Sequence, residues 1–152
     1  MASAAVSAPE SFRAVETLLG GRGVLRTTPH STQDWIGVIR RGIPAGAVEA
    51  LTKTIKVSHA ELARALGIPE RTLARRKREG ILSSEESAKL LRLARAVGRA
   101  NEVFEDPVAA LHWLKAPNAA LSGASPLSIL DTEIGAESVL DTLGRIEHGV
   151  YA

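Results

Sequence analysis

An all-α fold is expected from three features of the sequence. The 152 residues are 45% hydrophobic but only 3% aromatic, so Leu, Val, Ile and Ala must build the core. Leu and Ala are frequent while β-branched runs are short, which favours helix over strand. Serines followed three residues later by Glu recur at Ser58/Glu61 and Ser83/Glu86, the spacing of reciprocal capping boxes at helix starts. The length suits one domain, or two small helical subdomains that share a core, with seven to nine helices.

The elements follow in order. A first helix is expected from Pro9 to Leu19, stopped by Gly20 and Gly21. "GGRGVLRTTPH" then reads as a loop, because three glycines and Pro29 break any period. Ser31 and Asp34 open a helix that places Trp35, Val38 and Ile39 on one face and closes at Gly42. Pro44 suits the first turn of a third helix running to about Ile55. "SHAELARALG" carries Leu62, Ala63 and Leu66 on its apolar face and stops at Gly67; Pro69 then starts "ERTLARRKREG", which ends at Gly80. From Ser83 a helix of about 20 residues, about 30 Å long, places Leu90, Ala94, Val97 and Phe104 on a stripe, with Arg92, Arg95 and Arg99 off it. Asp106 and Pro107 punctuate a break before a short helix with Val108, Leu111 and Leu114 inward. A turn-rich stretch containing Pro117, Asn118, Gly123 and Pro126 leads to a last helix, about Ala136 to His148, burying Val139, Leu140, Leu143 and Ile146.

Charge is unevenly spread. The net +2 of the chain divides into +6 over residues 64–99, with ten basic and four acidic groups, and −6 over residues 100–152, with two and eight. Such asymmetry predicts different partners for the two regions. Absence of cysteine removes disulfides, thiolate metal sites and cysteine nucleophiles. "MASAAVSAP" lacks the charged and apolar regions of a signal peptide, and no apolar run approaches the roughly 20 residues of a membrane helix. A soluble cytoplasmic protein with no membrane partner is expected.

Enzyme readings find little support. His30, His59, His112 and His148 lie on separate elements with no HExxH, no GxSxG is present, and "GGRGVL" lacks the Lys-Ser/Thr of a phosphate loop. Glu85 and Glu86 sit at a helix start, where carboxylates complement the macrodipole. No catalytic residue, metal ligand or cofactor is expected.

Two helices joined by a tight turn at Gly67, the second holding five basic side chains between Arg71 and Arg78, have the outline of a helix-turn-helix. With Leu73 inward, Arg71, Thr72, Arg75, Arg76 and Arg78 can face a DNA groove, the arginines toward phosphate or guanine and Thr72 toward phosphate or a thymine methyl. The plainer alternative is a solvated face whose arginines pair with Glu70 and Glu79. Arginine density favours phosphate affinity over sequence readout. Helix-turn-helix modules commonly read two half-sites through a two-fold axis, so a dimer is expected.

The C-terminal stretch "WLKAPNAALSGASPLSILDTEIGAESVLDTLGRIEHGVYA" resembles the C-terminal domain of the Xre/ParS/MbcA antitoxins. The resemblance rests on Trp113-Leu114, Pro117-Asn118, Leu121 with Gly123, Pro126-Leu127, Leu130, Thr132, Gly135, Val139, Leu143, Ile146 and Gly149-Val150-Tyr151. It extends back through "RTLARRKREGILSSEESAKLLRLARA", similar to that group's Xre-like segment, and covers about residues 35 to 152. It implies a type II antitoxin whose partner is a RES-domain toxin, an NAD⁺-consuming enzyme, with the C-terminal domain obstructing the NAD⁺ pocket and the helix-turn-helix repressing the operon at operator DNA.

Residues 1–30 lie outside the resemblance and are expected to be a partly flexible extension with no assigned function; the resemblance implies 31–104 as an Xre-like helix-turn-helix region and 105–152 as a small helical toxin-binding domain. A homodimer, or a higher hetero-oligomer with the toxin, is implied. Trp113, Pro117, Asn118, Glu147, His148, Gly149, Val150, Tyr151 and Ala152 are the expected toxin contacts, with Gly149, Tyr151 and the terminal carboxylate entering a nucleotide pocket. In the plainer alternatives Trp113 is structural, and Val150 and Tyr151 merely pack as a helix end. Two other functions remain open: a transcription regulator without a toxin, and a helical adaptor for some other protein.

Overall fold

The computed structural model describes Phe12 and residues 14–149. Its centre is α7 (Ser84–Phe104), 21 residues started by the expected box: Ser83 Oγ accepts from Glu86 N at 3.1 Å, and the Glu86 carboxylate accepts from Ser83 N at 2.8 Å. Leu90, Leu93, Ala94, Ala96 and Ala100 have no exposed surface, so burial extends well beyond the expected stripe. The cause is tertiary: helices from both the N-terminal and the C-terminal stretches pack on α7, and its alanines admit them closely. Arg92, Arg95 and Arg99 lie off the stripe as expected, yet each is half-buried.

Ahead of α7 come α1 (Val15–Leu18), α2 (Arg22–Leu25), α3 (Thr32–Arg41), α4 (Gly46–Ile55), α5 (His59–Leu66) and α6 (Glu70–Glu79). The expected start of the first helix at Pro9 lies outside the described residues. The expected "GGRGVLRTTPH" loop instead contains α2, one turn that survives because Leu25 is buried in the core. A turn this short has no stability of its own. Ser31 caps α3 through its hydroxyl, which accepts from Asp34 N, while the Asp34 carboxylate accepts from His30 N.

Pro44 does not start α4. It sits in a bridge to Ile81, in which Leu82 N donates to Ile43 O at 2.9 Å and Ala45 N to Gly80 O at 3.0 Å. Ile43 N also donates to the fully buried Ser87 hydroxyl at 2.7 Å. Gly42 is required here: its φ is +92°, and a Cβ would run into the Leu82 carbonyl oxygen.

α5 carries the expected Ser58/Glu61 box, and Gly67, at φ +70°, turns the chain into α6. Leu62 and Leu66 are fully buried beneath it and Leu73 is 5% exposed. Beyond α7 lie α8 (Pro107–Lys115), 3-10 turns at Ala119–Leu121 and Pro126–Ile129, and α9 (Glu133–Glu147).

In α8 the expected inward set is partly wrong. Ala110 and Leu114 are buried and Leu111 partly so, but Val108 is 72% exposed. Capping by the Asp106 carboxylate, which accepts from Val108 N, sets the rotation of the first turn. α9 begins three residues before the expected Ala136, because Thr132 Oγ accepts from Gly135 N at 3.0 Å. Gly135 packs so tightly that a Cβ would overlap the Ile129 carbonyl. Val139 and Leu143 are buried as expected, whereas Leu140 and Ile146 are only half-buried.

One hydrophobic cluster runs from Val15 to Leu143. Residues 31–104 and 105–149 therefore pack on a shared core. No described helix is long and apolar enough to cross a membrane.

Candidate functional site

Along α6, Arg71, Arg75 and Arg78 fall at i, i+4 and i+7 and so share one face, opposite Leu73. All three are exposed. Arg71 and Arg78 form no ion pair among the described residues, and Arg75 reaches only Glu79, at 3.4 Å. Glu70 pairs with none of them.

Arg76 behaves differently. It is half-buried, donates from Nε to Glu86 at 2.8 Å and from its terminal nitrogen to Glu79 at 3.2 Å. The same Glu86 oxygen accepts from Ser83 N, so Arg76 ties α6 to the cap of α7. Burial pushes the Glu86 carboxyl upward, but the bonds from Ser83 and Arg76 outweigh it and leave the carboxyl below its ordinary range. Those same carboxylates raise the Arg76 guanidinium, Glu86 most. Lys77 also turns inward, bonding Glu49 and lying 3.5 Å from His59 Nε2. The bond from Lys77 is the main reason the Glu49 carboxyl is lowered. Of the five expected DNA-facing residues, three are brought together outward. Thr72 is half-buried on the flank, and Arg76 is used inside the protein.

The turn of the helix-turn-helix is clamped to the C-terminal region. Lys89 Nζ donates to Gly67 O at 3.2 Å, and Arg92 donates to Leu130 O at 3.0 Å and Asp131 O at 2.8 Å. A Cβ on Gly67 would lie 3.4 Å from Asp131. These positioning residues have no sequence signature, since their acceptors are backbone carbonyls far away along the chain.

Trp113, Pro117 and Asn118 line a single groove of about 570 Å³, together with Phe104, Val108 and His112. The Phe104 and Trp113 rings lie 5.8 Å apart at 44°, forming the aromatic part of the wall. Asn118 also has a local task, its side chain accepting from Ala120 N at 2.9 Å to start the 3-10 turn. Val108 joins the groove as its most exposed apolar residue, which the sequence reading placed inward.

Glu147 ends α9 and is already engaged. Arg99 binds it through both terminal nitrogens, at 2.9 and 2.6 Å, a bidentate geometry. These bonds hold the Glu147 carboxyl below its ordinary range. His148 and Gly149 follow as exposed residues, with Gly149 at φ +73°. Val150, Tyr151 and Ala152 lie outside the described residues. Among the described residues no cluster of three His, Asp or Glu side chains is placed to hold a metal ion.

Two family models match the chain. One, described as the antitoxin Xre-like helix-turn-helix domain, covers residues 34–95; the other, the antitoxin Xre/MbcA/ParS C-terminal toxin-binding domain, covers residues 99–149. Antitoxin Xre of Yersinia enterocolitica is 36% identical over 116 residues, which is 75% of this chain and 78% of that protein. Antitoxin Xre of Photorhabdus laumondii is 32% identical over 117 residues, 76% and 79% of the two chains. A Prs ADP-ribosylating antitoxin of a Sphingobium species is 30% identical over 132 residues, 80% of this chain and 83% of its own.

Proposed function

The chain belongs to the Xre/MbcA/ParS antitoxin family, and from that premise we propose how its parts inhibit a toxin and bind DNA. It is an antitoxin of a toxin-antitoxin system, with a helix-turn-helix domain ahead of a toxin-binding domain. In our reading the partner is a RES-domain toxin that consumes NAD⁺. ADP-ribosylation draws ADP-ribose from NAD⁺, so the description of the Sphingobium relative supports a partner that uses this nucleotide.

The observation that carries the reading is the match of residues 99–149 to a toxin-binding domain. Within it, Arg99 pins the end of α9 through Glu147. In our reading the segment Gly149-Val150-Tyr151-Ala152, which follows that pinned helix end in the sequence, is the part that blocks the toxin's pocket. In this reading the flat Tyr151 ring occupies the base position of the NAD⁺ pocket. The −6 charge of residues 100–152 complements a pocket that receives an anionic nucleotide. Trp113, Pro117 and Asn118 contact the toxin through the α8 groove, and His148 lines the path of the tail. Glu147 acts as an anchor for the tail rather than as a direct contact.

Arg71, Arg75 and Arg78 supply the DNA-binding face, with Thr72 at its edge and Arg76 holding the helix in place. Operator binding by a homodimer, or by a larger assembly with the toxin, represses the operon. In this scheme the chain performs no catalysis and needs no cofactor.

The test is NAD⁺ consumption by the product of the adjacent gene, with and without this chain in excess. Arrest of NAD⁺ loss supports the inhibitor reading, and its loss on truncation of Gly149 to Ala152 locates the inhibition in the tail. A neighbour that consumes no NAD⁺, or that consumes it undisturbed, sinks the RES-inhibitor reading.

A further inference from the structure

We propose that α2 adds a second basic contact to the DNA-binding surface: Arg22 and Arg26 bind the phosphate backbone of duplex DNA beside the C-terminal end of α6. This inference rests on the DNA-binding reading of α6. It extends that reading to a segment outside both matched domains, the first of which starts at residue 34.

Three observations place the site. First, α2 is held by the fold. Leu25 is 6% exposed, Val24 packs on Gly46, and Arg26 N donates to Arg22 O at 2.8 Å to close the turn. Second, Arg22 opens α2 and Arg26, in the left-handed conformation, caps its end; both are exposed, and neither forms an ion pair among the described residues. Third, Arg26 lines a cleft of about 490 Å³ with Gly80 and Ile81. Gly80 is the cap of α6, two residues past the outward Arg78.

The surrounding carboxylates do not neutralise this corner. Glu79 is taken by Arg75 and Arg76 and Glu49 by Lys77 and His59, and among the described residues no carboxylate pairs with Arg22 or Arg26. Arg26 thus shares a cleft with the end of α6, and Arg22, Arg26 and Arg78 form no ion pair among the described residues. A polyanion supplies the missing charge, and release of its condensed counterions drives the binding. Guanidinium groups add paired hydrogen bonds to phosphate oxygens. Because phosphate contacts position a protein without reading bases, the α2 arginines raise affinity without adding sequence preference.

The experiment measures binding of the full-length chain to a labelled duplex of about 30 base pairs and arbitrary sequence, by fluorescence anisotropy, between roughly 50 and 200 mM salt. The variants are Arg22→Gln with Arg26→Gln, Arg22→Lys with Arg26→Lys, and Arg71→Gln with Arg75→Gln and Arg78→Gln. Thermal melts confirm that each is folded. Two lost phosphate contacts make the slope of log K against log salt shallower by about 1.8, at about 0.9 per contact, in the α2 Gln pair. The Lys pair keeps the wild-type slope, because the charge remains. A Gln pair that binds like wild type, while the α6 variant loses binding, overturns the α2 site and leaves the α6 reading intact. A Lys pair as weak as the Gln pair also overturns it, since packing and not charge would then matter. Absence of binding by the wild-type chain at the lowest salt overturns both readings together.

Discussion

Val108→Ala and Val108→Asp separate interface from fold in the α8 groove. Val108 is 72% exposed, so the isolated protein gains little from its methyl groups. If the toxin covers the groove, those methyls become buried in the complex. Removing two methyl-sized groups, each worth about 0.8 kcal/mol when fully buried, scaled by the 72% of the residue still open, predicts a loss of about 1.1 kcal/mol. That corresponds to a roughly sevenfold weaker Kd for Val108→Ala. Val108→Asp additionally places an unpaired carboxylate in an apolar contact and weakens binding further. Because the site is exposed in the free chain, both variants keep their unfolding free energy within about 0.5 kcal/mol of wild type. Calorimetric titration with purified toxin, alongside thermal melts of the antitoxin alone, measures both quantities. A Val108→Asp protein that binds within twofold of wild type removes the groove from the interface. A variant whose free form melts several degrees early shows instead that Val108 supports the fold.

Other perturbations test the positioning contacts. Gly135→Ala drives a methyl into the Ile129 carbonyl and should destabilise by about 1–3 kcal/mol, the usual range of overpacking, read as a melting temperature lowered by about 2–4 °C per kcal/mol; an unchanged melt would show that the α9 start relaxes freely. Arg76→Ala should lower both stability and DNA affinity, because it unties α6 from Glu86, whereas Arg71→Ala should lower DNA affinity alone. Equal melts for the two variants would contradict that division. For Glu147 the folded carboxyl is held below the ordinary 4.5 by Arg99. Its stabilisation is therefore complete above that value and lost as pH falls through the lowered folded value. Glu147→Gln should flatten the dependence of melting temperature on pH below about 4.5, and an identical acid limb in the two proteins would argue against a bond that persists in solution.

Helix starts were readable in the sequence because capping is local. Ser58 with Glu61 and Ser83 with Glu86 satisfy each other across three residues, and the structure contains both pairs. The helix-turn-helix outline was readable for the same reason, its turn residue Gly67 standing between two short periodic segments. Resemblance in the ordered series of residues from Trp113 to Tyr151 brought the family into view, in agreement with the matched domains.

Side-chain roles that depend on a remote partner were not readable. Arg76 looks like its neighbours in sequence, but its position on the helix turns it toward Glu86. Arg92 and Arg99 resemble a solvated face until Leu130, Asp131 and Glu147 arrive from 38 to 48 residues away. Val108 carries an inward pattern, yet the Asp106 cap and the rotation of α8 leave it open. The sequence by itself determined the longer helices, the asymmetry of charge and the family, because propensity, capping and composition act over a few residues. Only the tertiary structure decided which arginines face outward and which become ties, because that choice depends on where distant carbonyls and carboxylates come to rest around α7.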